Sequence, residues 1–154
     1  MKIIAHRANI DGPSEEENSP KQIDKCIDLD YDVEIDIRYD LITKKIWLGH
    51  DNPQYEVDYT WLNERKKYLW IHCKNIQSLC EFSINNFLGY NYFWHQIDDH
   101  TLTSKNYIWS YPGKPHTTRS IIVMPELNME ITSMRDLRGL DCYGICTDYP
   151  RRLL

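Results

Sequence analysis

A chain of 154 residues and 18.5 kDa, 42% hydrophobic, has the length of one compact domain and not of two. Its formal charge of -5 and pI near 5.6 give no basic footprint for a phosphate backbone, and its 18 Lys and Arg residues are scattered without a stripe, which disfavours nucleic acid as a partner. Five cysteines (Cys26, Cys73, Cys80, Cys142, Cys146) with no C-x-x-C pair fit reduced thiols, mostly in a core, better than a disulfide frame.

The opening "MKIIA" is too short for a signal peptide or a membrane span, so the expectation is a cytoplasmic protein with no transmembrane segment. "KIIAH" at 2–6 is the first of eight short apolar or β-branched runs that read as strands. "DVEIDIR" (32–38), "KIWLGH" (45–50), "YLWIHCK" (68–74) and "YNYFWHQI" (90–97) follow. "NYIWSY" (106–111), "SIIVMPEL" (120–127) and "CYGICTD" (142–148) complete the set.

Helical patterns lie between some of them. Residues 20–29 begin with Ser19 as N-cap, Pro20 at the first helical position and Gln22 at capping-box spacing. Residues 76–87 form a second helix that stops at Gly89, with shorter turns at "YTWLNERKK" and "TSMRDLRG". Strands alternating with helices imply an α/β fold with a largely parallel sheet, and eight strands suggest closure. Since a full barrel takes about 250 residues, the expectation is a compact, irregular (β/α)8 TIM-type barrel with several helices shortened or missing.

On "DVEIDIR" the side chains alternate, so Val33, Ile35 and Ile37 share one face and Glu34 and Asp36 the other. An E-x-D of this kind is ordinarily a solvated strand face. In a barrel, apolar residues packed outward on helices force both acids inward, where they repel unless a cation holds them. Hard divalent cations take such ligands. His6 and Arg7, His50 and Asp51, and His72 and Lys74 end their own strands at the same rim. Cleavage of a phosphodiester matches that set: Arg7 and Lys74 neutralise phosphoryl oxygens, a metal bridges phosphate and attacking hydroxyl, and two histidines act as base and acid.

The arrangement resembles the glycerophosphodiester phosphodiesterases among the phosphatidylinositol-phospholipase-C-like barrels. The matching segments are "AHR" at 5–7, "EENS" at 16–19, "VEIDIR" at 33–38, "LGHD" at 48–51 and the closing "YGICTDYPRRLL". The resemblance implies His6 and His50 as the acid/base pair, Glu34 and Asp36 as ligands of Mg²⁺ or Ca²⁺, and Arg7 and Lys74 as phosphate contacts. It makes Glu17 and Asn18 the residues that shape the rim.

Two departures stand out. Ala8 replaces the family's Gly, and His72 replaces the carboxylate of its E-x-K. Imidazole suits Zn²⁺, Mn²⁺ or Fe better than Mg²⁺ or Ca²⁺, and Glu126 is a candidate substitute carboxylate. The segment between His50 and the next strand is short, so the expectation is a single domain, 1–154, with no sizeable cap, in which Tyr55, Tyr59 and Trp61 either line the rim or join the core.

The leading reading is thus a metal-dependent phosphodiesterase acting on a small glycerophosphodiester-like substrate. The alternative is a catalytically weak or inactive relative that binds a phosphorylated ligand or a protein. A glycosidase needs two opposed carboxylates, and residues 34 and 36 on one strand do not oppose each other. Barrel walls stripped of helices favour a homodimer.

Overall fold

The computed structural model describes residues 1–154, apart from the side chains of residues 131 and 132. Its ten strands are β1 (Lys2–Ala5), β2 (Asp32–Asp40), β3 (Lys45–Leu48), β4 (Tyr55–Val57), β5 (Leu69–Cys73), β6 (Tyr92–Phe93), β7 (His100–Leu102), β8 (Ile108–Ser110), β9 (Ser120–Val123) and β10 (Gly144–Thr147). The α-helices are α1 (Pro20–Asp28), α2 (Tyr59–Arg65) and α3 (Ile76–Ile84), and short 3-10 segments make up the remaining helical turns. Among the described residues no helix is long and apolar enough to cross a membrane.

The expected TIM-type (β/α)8 barrel is not what forms. The strands make one curled, mixed half-barrel sheet. Parallel ladders join β6 to β5, β5 to β2, β2 to β1, β1 to β10, β10 to β9 and β9 to β8, but none joins β6 to β8. The physical reason lies in the connections. Only those following β1, β4 and β5 contain an α-helix.

Residues 41–44 are too few for a crossover, so the chain turns back at Lys44 (φ 56°) and β3 pairs antiparallel with the outer half of β2, then β4 with β3. A second antiparallel pair, β7 with β8, occupies the segment after β6.

Local signals behave largely as read. Ser19 Oγ accepts from Gln22 N at 3.2 Å and caps α1, while Ser19 N donates to Glu16 O, so the capping box is half made. α3 stops earlier than expected, at Ile84; a 3-10 turn over Asn86–Leu88 follows before Gly89 takes φ 78°. Tyr55, Tyr59 and Trp61 pack against the core.

The pleat of β2 organises the molecule. Val33, Ile35 and Ile37 are fully buried with Ile23 and Cys26 of α1, Leu62 of α2 and Phe82 of α3. Burying each such aliphatic side chain stabilises by roughly 1.5–3 kcal/mol. That fixes the register, because a slip of one residue would expose all three. Glu34 and Asp36 are therefore held on the concave face, each 1% exposed.

Candidate functional site

The concave face opens at the C-terminal ends of β1, β2 and β5 into a cleft of about 350 Å³. His6, Arg7, Glu34, His50, His72 and Lys74 line it. Residues from four segments, expected to meet on sequence grounds, thus do meet.

At its base, one ligand atom each from Glu34, Asp36 and His72 lie within 4.8 Å of one another, a group that can hold a metal ion. β2 and β5 run in parallel register with Asp36 opposite His72, so the ladder itself brings the imidazole beside both acids. His72 Nδ1 lies 3.4 Å from Glu34 Oε1 and 3.6 Å from Asp36 Oδ1. Its other nitrogen, Nε2, donates to the His95 carbonyl at 2.8 Å, and its ring stacks on Phe93 at 4.9 Å between centroids.

A carbonyl only accepts, so the neutral ring carries its proton on Nε2 and turns the Nδ1 lone pair toward two carboxylates. Three electron-rich atoms then converge, an arrangement satisfied by a proton on Nδ1 or by a metal ion. An imidazole whose second nitrogen donates to a backbone carbonyl is the usual support of a metal-bound histidine. Asp36 Oδ1 is buried and accepts no hydrogen bond, while Oδ2 accepts from Asn18 Nδ2 at 3.0 Å. The residues present therefore fit a divalent cation.

Electrostatics separate the two acids. Burial opposes ionisation of Glu34, but with a proton on His72 Nδ1 the hydrogen bond from His72 and the charges of His6, His72 and Arg7 outweigh it and hold its pKa at about 2. Burial and the Glu34 charge raise that of Asp36 against the pull of His72, Arg7 and Asn18. Arg7 Nε lies 3.2 Å and Lys74 Nζ 3.9 Å from Asp36, so counter-charges flank the pair.

Arg7 and Ala8 follow β1 with φ of 49° and 65°, the left-handed region. Ala8 therefore stands at a backbone position where glycine is favoured. This sharp turn brings Arg7 N to donate to Glu34 Oε2 at 3.1 Å and lets Arg7 O accept from Asn18 N at 2.9 Å. Asn18, itself at φ 60°, also accepts from Asp36 N at 2.9 Å. Glu17 accepts from Asn9 Nδ2 at 2.8 Å and pairs with Arg7 Nη1 at 3.5 Å. Both rim residues thus work through neighbours.

His6 Nδ1 donates to Asp148 Oδ1 at 2.8 Å, and its Nε2 faces Glu34 Oε2 at 4.0 Å. Burial lowers the pKa of His6, but the Asp148 hydrogen bond and the charges of Glu34 and Asp148 outweigh burial and Arg7 and leave it raised. His50 Nδ1 donates to Asp51 Oδ1 at 2.8 Å, and its backbone is clamped by Arg38, which donates to Gly49 O at 3.1 Å and to His50 O. Gly49 is required there: at φ 147° an added Cβ would lie 2.0 Å from Asn52 O.

Glu126 is not in the metal-holding group. Its Oε1 accepts from Asp148 N at 2.8 Å, which fixes the residue that holds His6. Sequence reasoning assigned no role to Asp148, Asn9, Arg38 or the His95 carbonyl. Asn9 Nδ2 bridges Glu17 and Asp148, both at 2.8 Å, across 139 residues of chain to the latter. The alternation of β2 pointed to Arg38, and "TDYP" pointed to Asp148; nothing local marks the other two.

Comparison of the chain with protein-family models, with curated proteins and with solved structures found no match.

Proposed function

We propose that the protein is a metal-dependent phosphodiesterase acting on a small glycerophosphodiester-like substrate. The observation that carries this reading is the convergence of His72 Nδ1, Glu34 Oε1 and the hydrogen-bond-free Asp36 Oδ1, beside two histidines each backed by a carboxylate. Glu34, Asp36 and His72 would hold the cation. When bound, it supplies Lewis acidity toward a phosphoryl oxygen and the attacking hydroxyl, and the mixed carboxylate–imidazole set suits Mn²⁺ or Zn²⁺ better than Mg²⁺ or Ca²⁺.

The chain's own groups do the rest. Asp148 commits the Nδ1 proton of His6 and leaves Nε2 to exchange one; Asp51 does the same for His50. One histidine takes the proton of a hydroxyl vicinal to the phosphoester as its oxygen bonds to phosphorus and closes a cyclic phosphate, and the other protonates the alcohol oxygen whose bond to phosphorus breaks; water then opens the cyclic ester with the two roles reversed. Arg7 and Lys74 turn from Asp36 to offset phosphoryl charge. The histidines and cations stand on strand ends and tight turns, so the reading needs no closed barrel.

A second reading, a protein that binds a phosphorylated ligand without turning it over, is favoured by those same cations, which lie 3.2 and 3.9 Å from Asp36 and can offset its charge. Turnover of glycerophosphodiesters, which carry a hydroxyl vicinal to the phosphoester, by the metal-stripped protein with Mg²⁺, Ca²⁺, Mn²⁺ or Zn²⁺ restored, separates the two. Restored activity that falls roughly 10²- to 10⁴-fold in His6→Ala supports the phosphodiesterase. Saturable phosphate-ester binding with no turnover under any metal rejects it in favour of the second reading.

A further inference from the structure

At the opposite end of the sheet, where the parallel strands begin, a second cavity of about 280 Å³ is lined by Lys2, Lys66, Lys67 and Lys105. Four ammonium groups around one opening are unexpected in a chain of net charge -5. Asp32 is the one acid in the lining, and it is already engaged, accepting from Lys2 Nζ at 2.8 Å and from Trp70 Nε1 at 3.0 Å.

The other three lysines form no ion pair among the described residues. Lys66 Nζ donates to the Leu88 carbonyl, and Lys67 Nζ lies over the Tyr68 ring at 4.5 Å, so neither is paired with a carboxylate.

Aromatic rings support the cavity. Tyr107 and Tyr143 lie 4.2 Å apart between centroids, share a 3.1 Å hydroxyl hydrogen bond and pack on the buried Trp70. Asn91, which lines the same space, is 9% exposed, and its Oδ1 finds no partner. A buried amide oxygen without a donor is costly.

We propose that this cavity is a binding site for a small, multiply charged phosphorylated molecule, separate from the cleft described above. Ammonium groups bind phosphate as compact point charges, and several that line a concave, partly apolar site without ion-pair partners raise the local concentration of anions. The volume sits at the small end for ligand sites, which suits a diphosphate-sized group.

Titration of inorganic pyrophosphate into the full chain, read by calorimetry and by ¹H–¹⁵N shifts of the Trp70 indole and Asn91 amide, tests it. The site predicts saturable binding that shifts both signals, is weakened at least tenfold in Lys66→Glu with Lys105→Glu, and, as read by the Trp70 and Asn91 signals, persists in Lys74→Ala. Both lysines lie outside the core, and retention of the circular dichroism spectrum and melting temperature checks the fold of each variant. No saturable binding at millimolar pyrophosphate, or binding that Lys74→Ala removes and the lysine reversals do not, overturns the proposal while leaving the phosphodiesterase reading standing. An equal response to sulfate and citrate would also overturn it, because it would reduce the cavity to a general anion sink.

Discussion

Asp148 reaches the cleft only through His6, holding Nδ1–H so that Nε2 faces Glu34. Asp148→Asn should lower turnover roughly 10²- to 10⁴-fold, since an amide can favour the wrong tautomer, while metal affinity stays within a few-fold because Asp148 is no ligand. Steady-state kinetics paired with metal titration checks this, and a parallel loss of metal binding would contradict the assigned role. Ala8, fully buried at φ 65°, poses a question of balance. Glycine would relieve about 1–2 kcal/mol of left-handed strain but lose roughly 0.5–1 through chain entropy and about 0.8 through its missing methyl. Ala8→Gly should therefore stay within about 1 kcal/mol of the parent in denaturant unfolding, whereas Ala8→Val, β-branched in the same region, should lose clearly more. At this scale the inward acids were legible because strand alternation is a two-residue rule. Asn9 was not, because its partners Glu17 and Asp148 are brought together only by the fold.

At the level of elements, Asn75 ties α3 to β2 by three hydrogen bonds. Its Oδ1 accepts from Ser78 N at the start of α3 and from Tyr39 N in β2, and its Nδ2 donates to Tyr39 O. Asn75→Ala removes a cap worth about 1 kcal/mol and leaves two strand-edge groups unpaired, so a loss of about 2 kcal/mol or more is expected by chemical denaturation. A loss under about 0.5 kcal/mol would mean that water replaces these bonds. All eight apolar runs form strands, because β-branched and aromatic residues bounded by turn formers are a local signal. Strands β4 and β7, three residues each, were missed; their segments carry too few residues to show a period, and only pairing defines them. The direction of β3 was misread for a related reason. The run "KIWLGH" looks the same whether it pairs parallel or antiparallel, and the four-residue turn before it was the available clue.

For the whole molecule, the error was one of closure: strand count suggested a ring, but closure depends on edges meeting, and no ladder joins β6 to β8. The core that does form predicts its own chemistry. Burial pushes the thiols of Cys26 and Cys73 up to about 12 and that of Cys146 well above its ordinary value, whereas Cys80 is exposed. At pH 8 an aromatic disulfide reagent should modify Cys80 rapidly, Cys142 slowly, and the three buried thiols only after unfolding; rapid modification of Cys146 in the folded protein would show that the sheet opens. The central claim is the metal centre shared by β2 and β5. The most direct test is calorimetric titration of Mn²⁺ into the metal-stripped protein and into the Glu34→Gln, Asp36→Asn double variant, with phosphodiester hydrolysis followed in the same samples. The account predicts one saturable site per chain in the parent, with turnover rising in step with occupancy, and loss of both in the variant. Unchanged Mn²⁺ binding or unchanged metal stimulation in the double variant would contradict it.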